Sequence, residues 1–232
     1  MKTLIICLAA AVAVPSHAAI LAAYDFNDGN GSPTSSESGV TADAFVPHGG
    51  LNNVARPVIY GNSGGNGWIG APSSEAVGSG TVVGTPEASI AANDYFSFRV
   101  SPASGFALSL TQLKFSTAFY SGGTFNLTGW YFVRSSRDNY TTTIGGTSFP
   151  ETHVNSLNPT FNEHILDLSG VAYQDLTSDV TFRIYLYDNS NSETRWLAVD
   201  NVILEGTVTT IPETSGLAFL LPGLALLARK RR

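Results

Sequence analysis

The chain contains 232 residues, of which 43% are hydrophobic and only 13% are charged, and its formal net charge is −6. Globular domains usually carry about 25% charged residues, and proteins that bind nucleic acids need a basic surface. The composition therefore argues against a nucleic-acid-binding protein, and the length suits one domain with additional processing segments.

The N-terminal segment has the order of a secretory signal peptide. Lys2 gives a positive start, and residues 4–14 form an apolar run. Ser16 and Ala18 supply the small residues that a cleavage site at this point requires. We therefore predict a signal peptide over residues 1–18 and an exported protein. The alternative is a buried N-terminal helix.

The domain that is left after the terminal segments are removed differs from the full chain in net charge and in sulfur content. Residues 19–210 carry 17 acidic and seven basic side chains, so the mature domain has a net charge of about −10. Cys7 and Met1 lie in the part that is removed. The mature domain therefore has no disulfide, no thiol nucleophile and no cysteine-based zinc site. Its acidity favours divalent cations or neutral glycans over anionic partners.

Alternating apolar and polar residues are the strongest structural signal in the middle of the chain. In residues 95–100 and 180–187 every second side chain is apolar, and residues 113–119 repeat the period of two with Leu113, Phe115, Thr117 and Phe119. Further strand candidates are residues 21–26, 130–134, 164–168 and 196–204. Gly, Asn, Ser and Pro clusters separate these segments, and none of them shows an amphipathic helix with caps. One-sided alternation predicts antiparallel strands with one buried and one solvated face.

These features predict an all-β domain over residues 19–209, folded as an antiparallel two-sheet β-sandwich or jelly roll. Residues 28–80 are rich in Gly, Ser, Asn and Pro, which predicts long loops with short strands. In the last strand, the apolar phase shifts from odd-numbered to even-numbered positions across Asp200 and Asn201. One extra residue there would keep a single buried face, so we predict a β-bulge.

The C-terminal segment has the composition of a short membrane anchor. Residues 216–228 are apolar and precede four basic residues, which favour the cytoplasmic side of a membrane. As a helix, the apolar segment would extend about 20 Å, which is shorter than the ~30 Å hydrocarbon core. We predict a short C-terminal hydrophobic helix that anchors the chain temporarily. The alternative is a core helix of the domain.

The order of leader, domain, Pro-Glu motif, apolar segment and basic end resembles the PEP-CTERM sorting-signal proteins of Gram-negative bacteria. The resemblance lies in residues 210–232 and is carried by Pro212, Glu213, Thr214, Arg229, Lys230, Arg231 and Arg232. That family opens its signal with Pro-Glu-Pro, and Thr214 stands here in place of the second proline. The resemblance implies recognition by a membrane exosortase and transient anchoring in the inner membrane. It also implies a final place in the cell envelope or outside the cell, among extracellular polysaccharide.

The two ends of the domain carry a second resemblance. Residues 24–29 (Tyr-Asp-Phe-Asn-Asp-Gly) and 196–202 (Trp-Leu-Ala-Val-Asp-Asn-Val) look like the ends of jelly-roll domains in many PEP-CTERM proteins. Those domains are similar to galactose-binding-like and carbohydrate-binding modules. The resemblance implies a binding or matrix domain rather than a catalytic one.

The candidate catalytic motifs in the sequence are weak. Residues 61–65 match G-x-S-x-G, but no helical pattern follows, whereas the nucleophile elbow of hydrolases needs a helix after the serine. The mature histidines lack the spacing of zinc ligands. Glu163 and Asp167 form the one carboxylate pair considered for glycoside hydrolysis, with surface acids as the simpler interpretation. We predict a protein that is not an enzyme.

Oxygen-bearing side chains near the two ends of the domain predict a calcium site. Asp25, Asn27, Asp28 and Asp200 provide the hard oxygen ligands that Ca²⁺ prefers. Asp25 lies in the first strand region and Asp200 in the last, and such ends often meet in jelly rolls. The alternative is a turn in which Asx side chains bond their own backbone.

Sugar binding needs exposed aromatic faces beside polar groups. Arg183, Tyr185 and Tyr187 share the polar face of one predicted strand, and Trp196 begins the last strand. We predict that these four residues bind a sugar. Further candidates are Trp130 and Tyr131. The alternative is that the aromatic side chains stiffen the sheet or fill a second interface.

Together these observations predict an exported, non-enzymatic protein of the cell envelope or extracellular matrix. Its role would be structural or adhesive, in exopolysaccharide or biofilm. Two alternatives remain open: a calcium-supported carbohydrate-binding module and a secreted glycan hydrolase.

Overall fold

The computed structural model describes residues 18–52, 59–63, 66–72, 84–120, 125–153, 159–188 and 196–212. Its helix and strands in chain order are β1 (Ala19–Tyr24), β2 (Ser35–Ser36), β3 (Val40–Ala42), β4 (Val46–Pro47), β5 (Ile59–Ser63), β6 (Asn66–Pro72), α1 (Pro86–Ala92), β7 (Tyr95–Pro102), β8 (Phe106–Tyr120), β9 (Phe125–Ser135), β10 (Gly145–His153), β11 (Asn162–Asp167), β12 (Val180–Asp188) and β13 (Trp196–Thr210).

The strands of the described residues pair into two antiparallel sheets. The seven-stranded sheet has the order β11-β8-β13-β1-β2, with β6 paired to β13 and β5 paired to β6. The six-stranded sheet has the order β10-β9-β12-β7-β3, with β4 paired to β7. A hydrophobic core lies between the two sheets. The predicted all-β sandwich is therefore confirmed.

The core follows the predicted alternation. On β12, the side chains of Phe182, Ile184 and Leu186 are fully buried. Phe98 of β7 pairs with Phe182 and stacks on it, with ring centroids 5.4 Å apart. Burial of each such side chain contributes roughly 1.5–3 kcal/mol. Because strand residues alternate between faces, this packing fixes the register and turns the intervening residues of β12 to the outer face.

One short helix departs from the prediction that the mature domain lacks capped helices. The helix α1 begins at Pro86, and the Thr85 side chain accepts a hydrogen bond from the Ala88 N–H at 3.2 Å. Threonine at the N-cap and proline at the first helical position both favour a helix start. The prediction is therefore wrong here, because the helix is too short for its apolar periodicity to stand out.

The last strand contains the predicted bulge. Against β8, one extra residue of β13 is accommodated between Asp200 and Ile203. Asn201, inside this segment, has a φ of 50°. The other edge of β13 changes partner at the same point: β6 pairs with it as far as Val199, and β1 pairs with it from Val202 onward. The bulge therefore joins two halves of the seven-stranded sheet.

Within the described part of the chain, no helix is both long and apolar enough to cross a membrane. Pro212 is the last described residue. The predicted C-terminal hydrophobic helix and the remaining sorting residues lie outside the described ranges, as do residues 1–17 of the predicted signal peptide.

Candidate functional site

The outer face of the six-stranded sheet brings together three of the four predicted sugar-binding residues. Arg183, Tyr185 and Tyr187 alternate along β12 with its core-facing side chains. The neighbouring strand β9 places Phe132 opposite Tyr185 and Trp130 opposite Tyr187. This face is therefore aromatic on two adjacent strands.

Five rings on this face form what we call the aromatic ladder: Tyr95, Trp130, Phe132, Tyr185 and Tyr187. Trp130 stacks on Tyr187 with centroids 5.4 Å apart and 6° between the ring planes. Phe132 stacks on Tyr185 at 4.4 Å and 5°. Tyr95 of β7 packs against Tyr185 from the other side, at 5.1 Å. The ladder thus spans three strands and is held by their register.

Most of the aromatic ladder is buried. Tyr185 is 2% exposed and Tyr187 is 9% exposed, and Ile90 of α1 packs against the cluster. The prediction of a solvated outer face is therefore wrong at these positions, because rings stacked across neighbouring strands exclude water from one another. Tyr185 and Tyr187 therefore hold the neighbouring rings in place from beneath the surface. Neither exposes a whole ring face that a ligand could cover.

The aromatic ladder is more exposed to solvent at Trp130 than at its other four rings. A cavity of about 270 Å³ lies here, and the partly exposed Trp130 forms one wall. The exposed Thr143 and Thr147 line the same cavity. Gly146 lies opposite Phe132, and a β carbon on Gly146 would approach the Cβ of Phe132 to 2.9 Å. One aromatic face with two hydroxyls beside it is a combination that suits a sugar ring.

Sequence reasoning missed five residues that line this cavity: Pro86, Phe132, Thr143, Gly146 and Thr147. The alternation of Trp130 and Phe132 within the predicted strand 130–134 was available as a signal for Phe132. Thr143 and Gly146 lie in β10 and the loop before it, where glycines and polar residues hide any alternation. Only the pairing of β10 with β9 places them beside Trp130.

Two other predicted sugar-binding candidates do not present their rings on this face. Tyr131 faces the core, is 6% exposed and packs edge-on against Phe115 at 5.0 Å. Trp196 lies on the seven-stranded sheet, where it pairs with Tyr120 and Pro72. Trp196 therefore does not share a surface with Arg183.

The structure brings two of the predicted calcium ligands together at the bulge. Asp200 is 2% exposed, and its carboxylate accepts hydrogen bonds from the Asn201 backbone N–H at 2.6 Å and side-chain amide at 3.1 Å. Burial, and to a smaller extent the charge of Asp25, raises the pKa of Asp200 to about 6, against the effect of the Asn201 hydrogen bond. The two carboxylates are therefore close enough to repel.

The other predicted ligand atoms have hydrogen-bond donors of their own. Asp25 Oδ1 accepts from the Thr34 hydroxyl at 2.8 Å and from the Asn27 N–H at 3.1 Å. Asn27 Oδ1 accepts from the Gly67 N–H at 2.6 Å, and Asp28 is exposed. Among the residues that the structure describes, no group of three or more His, Cys, Asp or Glu side chains is arranged to hold a metal. Since Ca²⁺ takes about six to eight oxygen ligands, calcium binding stays a prediction.

The first three residues of the G-x-S-x-G run lie at the end of a strand, and its last two fall outside the described residues. Residues 61–63 end β5, and β6 begins at Asn66 and pairs back with β5. The next described residues therefore form a strand and not the helix that a nucleophile elbow places after its serine. Gly61 has a packing reason instead, because it lies opposite Trp68 and a β carbon on it would collide with the Trp68 ring.

Gly61→Ala is expected to lower the free energy of unfolding by about 2 kcal/mol, because overpacking against the buried Trp68 ring forces a shift. Urea unfolding monitored by tryptophan fluorescence measures this change. The matched control is Gly170→Ala, where no atom lies within 4 Å of the new methyl group. A Gly61→Ala protein as stable as this control would contradict the packing explanation.

The carboxylate pair considered for hydrolysis does not form a suitable site. Glu163 and Asp167 are exposed on the edge strand β11, with backbone positions about 13 Å apart. Glycosidases need their carboxyl groups roughly 5–10 Å apart. Hydrogen bonds from Ser169 lower the pKa of Asp167, whereas a general acid needs a raised pKa.

Comparison with known proteins does not assign this chain to a family. No protein-family model matches it, and no curated protein matches its sequence. Solved structures do share its chain path in part. One is a cleaved adhesin domain of Lys-gingipain from Porphyromonas gingivalis, 14% identical with a TM-score of 0.39, where the match covers 83% of this chain and 99% of that domain.

Two carbohydrate-binding modules are also similar. A module described for specific mannan recognition is 10% identical with a TM-score of 0.42, covering 83% of this chain and 99% of the module. A module specific for non-crystalline cellulose is 13% identical with a TM-score of 0.41, covering 79% of this chain and 92% of the module. At these values the ligands of those proteins carry no weight for this chain, so its function has to be inferred from its own residues.

Proposed function

We propose that this protein is an exported, non-enzymatic component of the cell envelope or extracellular matrix, and that it binds a glycan on the outer face of its six-stranded sheet. The observation that carries the proposal is the partly exposed Trp130 ring beside the cavity at the open end of the aromatic ladder. A sugar ring places its apolar C–H face on such a ring, and its hydroxyls bond to polar groups at the rim.

The aromatic ladder holds Trp130 in place before a ligand arrives. The Trp130 ring lies almost parallel to Tyr187, and Phe132 packs against Tyr187 edge-on at 6.2 Å. A side chain that is already fixed by packing loses little further entropy when a ligand binds. The buried tyrosines thus contribute to affinity by support, although they do not offer open faces.

The ends of the domain support export and sorting as part of this proposal. β1 begins at Ala19 and pairs with β13, so removal of residues 1–18 leaves the strand whole. At the other end, the Ile211 N–H donates a hydrogen bond to the Gly105 carbonyl at 2.8 Å. The Pro-Glu motif starts at the next residue, Pro212. An exosortase would therefore meet its signal just beyond this hydrogen bond, which follows the end of β13.

Trp130→Ala is expected to weaken glycan binding at least about tenfold, because it removes the ring face that the sugar covers. The measurement is calorimetric titration of the purified protein with polysaccharides isolated from the producing bacterium, in calcium and in EDTA. Trp196→Ala is the matched control, since it removes the same side chain from the other sheet and should leave the affinity unchanged.

The possible results of this titration test the position of the site, the glycan-binding function and the role of calcium separately. Binding that survives Trp130→Ala places the site elsewhere, and a wild-type protein without saturable binding contradicts the proposed function. Binding that EDTA abolishes supports the calcium-supported carbohydrate-binding module and directs attention to Asp25 and Asp200.

A further inference from the structure

Arg183 lies between two aromatic rings at the far end of the aromatic ladder. Its guanidinium carbon is 4.4 Å from the Tyr95 ring centroid and 3.5 Å from the Tyr140 ring centroid. Rings at these distances attract the guanidinium cation through their faces. The N–H groups along its edge point within the plane and stay available to an acceptor.

No acceptor within the described residues uses that edge. The described ion pairs join Arg99 to Asp43 at 2.7 Å and Lys114 to Glu205 at 2.6 Å. Arg183 takes part in no ion pair and no hydrogen bond among these residues. Its cross-strand neighbours are Ser97 on β7 and, directly opposite on β9, Arg134. Like charges opposite each other destabilise a sheet, so the cross-strand pairing of these two arginines does not itself stabilise the sheet.

The loop after β9 holds the second ring over Arg183. Arg134 donates from Nη1 to the Tyr140 carbonyl at 2.9 Å, and the Tyr140 N–H donates to the Ser135 carbonyl at 2.9 Å. Tyr140 has a φ of 60°, a left-handed conformation that a tyrosine rarely adopts and that costs energy. We regard Arg134 as a positioning residue for the Tyr140 ring.

Other charged or titratable groups around this point do not neutralise Arg183. Asp138, in the same loop, accepts hydrogen bonds from the backbone N–H groups of Thr141 and Thr142 at 3.3 and 2.8 Å. His48 packs on Tyr95 at 4.6 Å and contacts Ser97 Oγ at 2.8 Å. Burial, and then the charge of Arg183, lowers the pKa of His48 and so disfavours a positive charge on its ring.

We infer that the glycan bound on this face is acidic and that the partly exposed Arg183 binds its carboxylate through guanidinium N–H groups that no described residue accepts. A carboxylate is planar and offers two acceptors, which match the paired N–H donors of arginine. This inference rests on the proposed glycan-binding function and deepens it. It names uronate-containing or otherwise carboxylated polysaccharides as the ligand class.

The spacing along β12 gives the size of the ligand. Arg183 and Tyr187, the residue beneath Trp130, are four residues apart on one strand, which is about 13 Å. One sugar unit is too short to reach both points. The ligand is therefore an oligosaccharide or polysaccharide that places one unit on Trp130 and a carboxylated unit at Arg183.

This inference revises the preference for neutral glycans that the acidic composition suggests. The net charge of the mature domain acts over long distances, but the Debye length at physiological salt is only about 8 Å. Charges on other parts of the surface are therefore largely screened at the site, and the two neighbouring arginines determine the local potential.

The test uses pairs of polysaccharides that differ only in charge. Polygalacturonate, alginate, hyaluronan and xanthan are each titrated into the purified protein beside their carboxyl-reduced, neutral forms. We expect at least one acidic form to bind more tightly than its reduced form, and Arg183→Gln to weaken that binding about 30-fold without changing the affinity for the reduced form. Arg99→Gln is the matched control. It removes the same charge from the same face, but its guanidinium is already paired with Asp43.

Three results would overturn the inference in distinguishable ways. If neither acidic nor reduced forms bind, the proposed glycan-binding function fails. If acidic and reduced forms bind equally, or Arg99→Gln weakens binding as much as Arg183→Gln, the function stands and the role of Arg183 fails. If dextran sulfate competes as well as the carboxylated polymer, charge alone is recognised and carboxylate specificity fails.

Arg183→Lys covers the case in which Arg183→Gln does not fold. Lysine keeps the positive charge but lacks the planar fork, so the affinity for the acidic form should still fall about tenfold. A lysine variant that folds, as shown by thermal unfolding, and binds like the wild-type protein would contradict bidentate binding.

Discussion

Tyr185→Ala is expected to lower the free energy of unfolding by about 4 kcal/mol, as much as a large substitution in the main core. Tyr185 is 2% exposed, with Phe132 stacked on it at 4.4 Å and Tyr95 packed against it at 5.1 Å. Removal of the ring leaves a cavity between neighbouring strands that rigid sheet backbone cannot close. A residue on a truly solvated face would change stability by only about 0.5 kcal/mol.

Urea unfolding at pH 7 measures the effect, with the midpoint and the slope fitted separately. Tyr60→Ala is the matched control, because Tyr60 lies on β5 and is 37% exposed. We expect the control to lose about 1 kcal/mol. If the two variants lose equal stability, the outer face of the six-stranded sheet is an ordinary wet surface and the support that we assign to Trp130 disappears.

Two strands and the bulge of this protein follow from local patterns in the sequence. Alternation with period two is a local property, so it located β7 and β12 and assigned Phe98 and Phe182 to the core. The same local logic located the bulge at Asp200, because an unpaired extra residue has to appear where the apolar phase changes.

The candidate site depends on pairing between distant parts of the chain, which alternation cannot specify. Tyr185 is buried because β9 brings Phe132 beside it, and nothing near Tyr185 in sequence indicates this. Trp196 looked equivalent to Tyr187, but its strand belongs to the other sheet. Tyr140 reaches Arg183 only because a turn adopts a left-handed conformation that its own residue type disfavours.

The free energy of unfolding is expected to depend on pH through two buried groups, Asp200 and His164. Their contributions change with pH in opposite directions. Burial raises the pKa of Asp200 from 3.8 to about 6. The folded state therefore holds a proton that the unfolded state releases, so the stability from Asp200 is complete below about pH 4. As the pH rises to about 6, roughly 3 kcal/mol of it is lost.

His164 has the opposite sign. Burial lowers its pKa from 6.5 to about 4, and its Nε2 lies 2.7 Å from the Thr117 hydroxyl. The folded state resists a proton that the unfolded state accepts, so the stability from His164 is complete above about pH 6.5. As the pH falls toward 4, about 3 kcal/mol is lost. Between pH 4 and 6 the two contributions nearly cancel in the wild-type protein.

Single substitutions should separate the two contributions. Asp200→Asn leaves His164 unopposed, so its stability relative to the wild type should rise by about 3 kcal/mol between pH 4 and 6.5. His164→Gln leaves Asp200 unopposed, so its relative stability should fall by a similar amount over the same range. Urea unfolding at four pH values measures both curves, and groups that titrate alike in all three proteins cancel in the differences.

The shape of the Asp200→Asn difference also tests the predicted calcium site. A difference that rises with pH in EDTA and becomes flat or negative in calcium means that a cation holds the Asp200 carboxylate ionised beside Asp25. A difference that is flat in both conditions contradicts the raised pKa, because a carboxyl that is already ionised when buried cannot oppose His164. A rise in both conditions leaves the carboxyl protonated at the bulge and removes the pair as a calcium site.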